Sequence, residues 1–235
     1  MKGESVISYI DSWLLKKVMY EKERNEIVEF GKKLITDRLT TGTSGNISIY
    51  DAEKKLMLIS PSGIGYFETK PEDIVVMDLD GNIVEGDKKP SSEHGLHAAM
   101  YKAKPNARAA VHTHSMYCTV LSVLHEPIRA AHYVVADAGS VMVPCADYRT
   151  YGTMELANEA VRAMGEADAV LLANHGMIAV GKSLKSAYGL ASGMEYCAEV
   201  YYRAICTNKT VNILPDDEMR RVIEKFKGYG QVKKP

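Results

Sequence analysis

The sequence predicts an α/β domain in three layers. Three observations carry that reading. Short apolar runs such as Lys55–Ile59 and Ile74–Met77 recur along the chain, each with the length and content of a strand. Longer stretches with apolar residues at helical spacing stand among them. Strands and helices mixed in this way bury their apolar faces by stacking helices on a sheet. No internal repeat, linker or low-complexity segment divides the 235 residues, which suffice for one core, so 1–235 reads as a single domain.

Taken in order, residues 5–37 read as helix, with Ile27, Phe30, Leu34 and Ile35 on one face and Lys and Glu between them. Thr40-Thr41-Gly42-Thr43-Ser44-Gly45-Asn46 follows, which by itself is a turn before a strand at Ile47–Tyr50. Strands are expected at Lys55–Ile59 and Ile74–Met77, separated by the small-residue loop Ser60-Pro61-Ser62-Gly63-Ile64-Gly65. Asp78-Leu79-Asp80-Gly81 is a hairpin-type turn, and without flanking helices its acidic pair is not a calcium loop. A helix then runs to about Lys102, with Ser91 or Ser92 as N-cap and Glu93 in the first turn, where a carboxylate is favoured. On it His97 reads as packed and His94 as exposed. A strand at Ala109–His112 precedes a helix at Ser115–Leu124. Arg129–Gly139 is apolar with polar interruptions, and Val141–Val143 is read as strand. Thr153 caps a helix to about Met164, and Asp168–Ala173 is a buried-type strand. Asn174-His175-Gly176 turns tightly into a strand at Met177–Val180. Ser183 caps a long helix to about Asn208, whose tyrosines read as core or subunit contacts, and a last helix covers Pro215–Lys227.

Composition excludes several classes. Net charge is −1, with no basic block for nucleic acid. No apolar run approaches the roughly 20 residues that span a bilayer, and the N-terminus lacks a signal-peptide stretch. Cys118, Cys145, Cys197 and Cys206 form no CxxC pair and no disulfide framework, which points to a reducing cytoplasm.

The chemistry centres on Val111-His112-Thr113-His114. On a strand, residues two apart face the same side, so His112 and His114 can reach one ion. Alone, an HxH also fits two unrelated histidines. Glu93 before it and His175 after it complete three imidazoles and a carboxylate, a set suited to one divalent metal, with Zn²⁺ first. The loops 41–46, 60–65 and 90–92 supply hydroxyls and free N–H groups, which a phosphate needs, and only Lys88-Lys89 adds positive charge nearby. A metal beside a phosphate pocket suits a small phosphorylated carbonyl compound, whose enediolate a Lewis acid would hold.

These residues resemble the class II sugar-phosphate aldolase and epimerase family, on the side of the L-fuculose-1-phosphate aldolases. The resemblance covers about residues 20–232. It rests on Thr43-Ser44-Gly45-Asn46, Pro61-Ser62-Gly63, Ser91-Ser92-Glu93, His112-Thr113-His114, Asn174-His175-Gly176 and Phe226-Lys227-Gly228-Tyr229-Gly230, in that order. It implies a mostly antiparallel central sheet, one zinc per subunit held by His112, His114 and His175, and Glu93 as a displaceable fourth ligand and acid/base. Thr43, Ser44, Gly45, Asn46, Ser62, Gly63, Ser91 and Ser92 would hold the phosphate. Tyr133 would exchange the proton at the aldehyde oxygen, while Phe226 and Tyr229 in the C-terminal tail, 215–235, would line the aldehyde end. A homotetramer with sites between subunits is implied, so Tyr133 and the tail would serve a neighbour. The expected reaction is reversible cleavage of L-fuculose 1-phosphate, or a similar ketose 1-phosphate, to dihydroxyacetone phosphate and L-lactaldehyde. The L-ribulose-5-phosphate 4-epimerases carry Asp where this chain has Glu93, which favours aldolase. Asp137 falls where they have a catalytic Asp, which favours epimerase. A non-catalytic module like the adducin head is the alternative of another class, and retention of all three histidines and Glu93 argues against it.

Overall fold

The computed structural model describes residues 20–228. In chain order the elements are α1 (Glu21–Thr36), β1 (Asn46–Asp51), β2 (Leu56–Ile59), β3 (Val75–Asp78), β4 (Ile83–Glu85), α2 (His94–Ala103), β5 (Ala109–Thr113), α3 (Met116–Val123), β6 (Cys145–Ala146), α4 (Met154–Met164), β7 (Ala169–Leu172), β8 (Gly176–Gly181), α5 (Leu184–Ile205) and α6 (Asp216–Phe226). Short 3-10 helices lie at Pro71–Asp73 and Tyr133–Ala138.

The strands form one sheet in the order β4-β3-β2-β1-β5-β8-β7-β6. All neighbours are antiparallel except β6 and β7, so the expected mostly antiparallel sheet is present. Helices cover both faces, giving three layers. Side-chain alternation divides the core in two. Ala109, Val111, Met177 and Ala179 face the layer that includes α1, α5 and α6. Ala110, Ile178 and Val180 face the layer of α2 and α4. β5 is buried at every residue because both its faces are covered, so it reads as a continuous apolar run. Each fully buried aliphatic side chain here contributes about 1.5–3 kcal/mol.

The described part of the N-terminal helix is α1; residues 5–19 of that expectation lie outside the described residues. Its buried face also carries Arg24, which donates to Pro71 O (3.1 Å), Ile74 O (2.6 Å) and Glu85 Oε1 (2.7 Å). These acceptors replace the water that a buried guanidinium loses.

Several expectations change. Neither Ser91 nor Ser92 caps α2: Glu93 occupies the cap position, and its side chain makes no cap bond. Ser91 Oγ instead accepts from the Glu93 N–H at 3.2 Å, bending the loop into the helix. Val141–Val143 is not a strand. Only Val143 forms a bridge, with Ile128, and pairing with β7 begins at Cys145. Arg129–Gly139 contains a 3-10 helix, ended at Gly139 with a positive φ of 68°. β4 is a three-residue edge strand that the sequence does not predict; its Ile83 and Val84 are exposed. His94 is half-buried beneath the Gly81 turn rather than exposed, while His97 is fully buried as expected. Thr153 and Ser183 cap their helices through side-chain bonds to Leu156 N and Ser186 N.

Candidate metal centre

His112 is the penultimate residue of β5 and His114 stands just beyond its end, on the sheet face that carries α2. Asn46 pairs with His112 across β1 and β5, so it shares that face. β8 lies on the other side of β5, and the β7–β8 turn brings His175 to the same end. That turn closes through Asn174 at φ 55°. Two glycines let the motifs approach β5. A Cβ on Gly176 would overlap the Thr113 carbonyl oxygen, and one on Gly45, at φ +72°, would lie 2.7 Å from His112 O. Gly176→Ala is therefore expected to push β8 off β5, at a cost of about 1–3 kcal/mol, and to weaken binding of a divalent metal. Urea unfolding and a zinc titration check it, and wild-type values in both would mean that the strands adjust.

Glu93, His112, His114 and His175 bring ligand atoms within 4.8 Å of one another. The three rings stand edge-on, with centroids 4.8, 4.8 and 4.9 Å apart. His112 Nδ1 lies 2.9 Å from Met177 O, and a carbonyl only accepts, so Nδ1 carries the proton and Nε2 presents a lone pair. That Nε2 sits 3.0 Å from His114 Nε2 and 3.1 Å from Glu93 Oε2. Glu93 Oε1 is 3.4 Å from His175 Nε2 and, though buried, has no hydrogen-bond donor. Electron-rich atoms converging on one point, with an orphaned carboxylate oxygen among them, fit a divalent cation.

Without a cation, the electrostatics favour the neutral ligand form at two of the three imidazoles and the charged form at the third, His112. Burial, then the charge of His112 and of His175, holds His114 down to about 3. Burial and His112 likewise hold His175 down to about 4. Both imidazoles are thus neutral, as metal ligands must be. Burial opposes the charge on His112, but the Glu93 carboxylate raises it. Burial opposes ionisation of Glu93 as well, yet His112 and then His175 keep it well below the usual carboxylate range.

A cavity of about 450 Å³ opens over the cluster. Its walls are Thr43–Asn46, Pro61–Gly63, Ser91–Glu93, His114 and Asn174–His175, together with Tyr148, Arg149 and Tyr151.

Residues 25–202 match the model of the class II aldolase and adducin N-terminal domain. The chain belongs to that family. It is 46% identical, over 91% of its length and all of the relative, to a 5-deoxy-D-ribulose 1-phosphate aldolase from Bacillus thuringiensis serovar kurstaki. An L-fuculose phosphate aldolase from Escherichia coli O6:H1 is 42% identical, over 82% of this chain and 88% of the relative. Among solved structures, an L-fuculose 1-phosphate aldolase superposes with a TM-score of 0.85 at 47% identity, covering 88% of this chain and 96% of that one. The chain is an enzyme, a lyase of the class II aldolase type.

In this class II aldolase the residues expected to hold metal and phosphate line one cavity, except His112, which is fully buried in the cluster behind His114 and His175. The aldehyde-side residues do not join them. Tyr133 is 50% exposed on its 3-10 helix, with its ring 6.1 Å from that of Phe226, and neither lines the cavity. Tyr229 lies outside the described residues. Asp137 is exposed on the same 3-10 helix as Tyr133. Sequence reasoning missed Tyr148, Arg149 and Tyr151. Arg149 adds a guanidinium to loops that offered only neutral donors, and exposed aromatics around a lone arginine between β6 and α4 were the available signal.

Proposed function

We propose that this protein is a zinc-dependent aldolase that cleaves a ketose 1-phosphate reversibly to dihydroxyacetone phosphate and a short aldehyde. The observation that carries the reading is the opening of three neutral-donor loops, Glu93 and two of the clustered imidazoles into one cavity. L-fuculose 1-phosphate, giving L-lactaldehyde, and 5-deoxy-D-ribulose 1-phosphate, giving acetaldehyde, share the three carbons that such a cavity would grip. The relatives named for these two substrates support both.

When bound, the metal supplies Lewis acidity at the carbonyl and neighbouring hydroxyl oxygens of the substrate. Zinc suits three imidazoles and a carboxylate. The hydroxyls of Thr43, Ser62, Ser91 and Ser92, the Asn46 amide and the backbone N–H of Gly63 grip the phosphate, with Arg149 adding charge at the rim. Glu93 removes the C3 proton in condensation; in cleavage it takes up a proton from water in the open cavity and delivers it to C3. Tyr133 accepts the C4 hydroxyl proton in cleavage and returns it in condensation.

Because Tyr133 and Phe226 stand together outside their own chain's cavity, they serve a neighbour's site in a homotetramer, with Tyr229 of the tail. Four cysteines without disulfides support a cytoplasmic setting.

The test is incubation of zinc-loaded enzyme with both ketose 1-phosphates and with L-ribulose 5-phosphate. Release of dihydroxyacetone phosphate supports the reading. Interconversion of the pentulose phosphate without cleavage would overturn it. Tyr133→Phe is expected to slow cleavage by about 100-fold while C3 proton exchange in dihydroxyacetone phosphate falls far less. An equal fall in both would give Tyr133 another role.

A further inference from the structure

Behind the metal cluster, two stripes face each other. Glu93, His97 and Tyr101 recur every fourth residue along α2 and its cap, and Asn46, Ser48 and Tyr50 recur every second residue along β1. The outer end closes by stacking of Tyr50 on Tyr101, with ring centroids 4.8 Å apart. Between the stripes runs a continuous line of buried polar contacts. Asn46 Nδ2 donates to Glu93 Oε2 at 3.0 Å. His97 Nε2 lies 2.5 Å from Asn46 Oδ1, and His97 Nδ1 lies 2.6 Å from Ser48 Oγ. Ser48 Oγ in turn lies 2.6 Å from the Tyr101 hydroxyl.

Chemistry sets the direction of every link. The Glu93 carboxylate only accepts, so the Asn46 amide turns its nitrogen toward it and its oxygen toward His97. That oxygen cannot donate, so His97 carries its proton on Nε2. The other nitrogen of a neutral imidazole is then an acceptor, and the Ser48 hydroxyl donates to it. Having spent its one proton, Ser48 accepts from Tyr101. His97 and Ser48 are fully buried and Asn46 and Tyr101 are 4% exposed, so no link is left to bulk water. We propose that His97 is a positioning residue whose Nε2–H locks the Asn46 amide, so that Glu93 Oε2 is held and Oε1 is left without a donor, directed at His175. An amide passes no proton onward, so the chain orients Glu93 and does not reprotonate it. The catalytic consequence rests on Glu93 acting at C3; the order of the hydrogen bonds does not.

The experiment labels histidine with ¹⁵N in the full-length zinc-loaded protein and assigns His97 by its loss in His97→Gln. A protonated, pyrrole-type Nε2 with a pyridine-type Nδ1 is expected, and the reverse tautomer overturns the proposal. In His97→Leu, C3 proton exchange in dihydroxyacetone phosphate should fall about 10- to 100-fold in kcat, with a smaller rise in KM because Asn46 is only one of several groups on the phosphate. His97→Gln keeps a donor near the Nε2 position and should recover most of that loss. Equal losses in the two variants, or none in His97→Leu, would show a packing role and overturn it. Should the wild-type protein exchange no C3 proton, the aldolase reading fails, while the tautomer still decides the chain's direction.

Discussion

His114→Ala loses metal and activity together. The variant keeps His112 and His175, but two imidazoles and a displaceable carboxylate no longer enclose a cation. His114 is also the imidazole whose Nε2 approaches that of His112 to 3.0 Å, a separation that two lone pairs tolerate only when they share a cation or a proton. Removing a Lewis acid takes away several kcal/mol of transition-state stabilisation, and about 4 kcal/mol corresponds to roughly a thousandfold in rate. Elemental analysis after dialysis, beside an assay for dihydroxyacetone phosphate release, reads both quantities on one sample. Full metal content with full activity would remove His114 from the site.

Glu93→Gln separates binding from proton transfer. Three imidazoles remain, and an amide oxygen can still approach the ion, so metal is kept in part. What disappears is the group able to carry a proton to and from C3, for which a loss of about 10²- to 10⁴-fold is expected. Exchange of the C3 hydrogens of dihydroxyacetone phosphate with solvent, followed by proton NMR, isolates that step from cleavage. Exchange at the wild-type rate would refute the assignment of Glu93 as acid and base. The substitution is close to isosteric at a residue 6% exposed, so a fall in exchange is not a packing effect.

Much of this site was legible before any coordinates. Period-two alternation puts His112 and His114 on one side of a strand whatever the fold around it. The turn between two apolar runs puts His175 where a third ligand can come from a neighbouring strand. Small-residue loops announce backbone N–H groups and hydroxyls, and the six motifs appear in family order. The three-layer class was equally visible, since strand-like and helix-like stretches interleave without a break.

The rest depended on residues far apart in sequence. Glu93 obeys a local rule that places a carboxylate at a helix start, yet its side chain turns away from the cap because Asn46 and His112 from β1 and β5 receive it. Arg149 reaches the cavity only because β6 joins β7 in parallel at the sheet edge. β4 escaped notice because two apolar residues, Ile83 and Val84, are too short a run to show a strand period, and only pairing with β3 makes them one. Phe226 opens one of the six motifs and the family resemblance points to Tyr133 with it, but their separation from the cavity is a property of the folded chain. His97 could be called packed from sequence, but its role lies in its partners on β1. Which groups can bind a cation and a phosphate follows from side-chain chemistry and local periodicity, and so was readable along the chain. Tertiary structure alone decided which way Glu93 points and what holds it there, because register between strands and the packing of α2 set those directions.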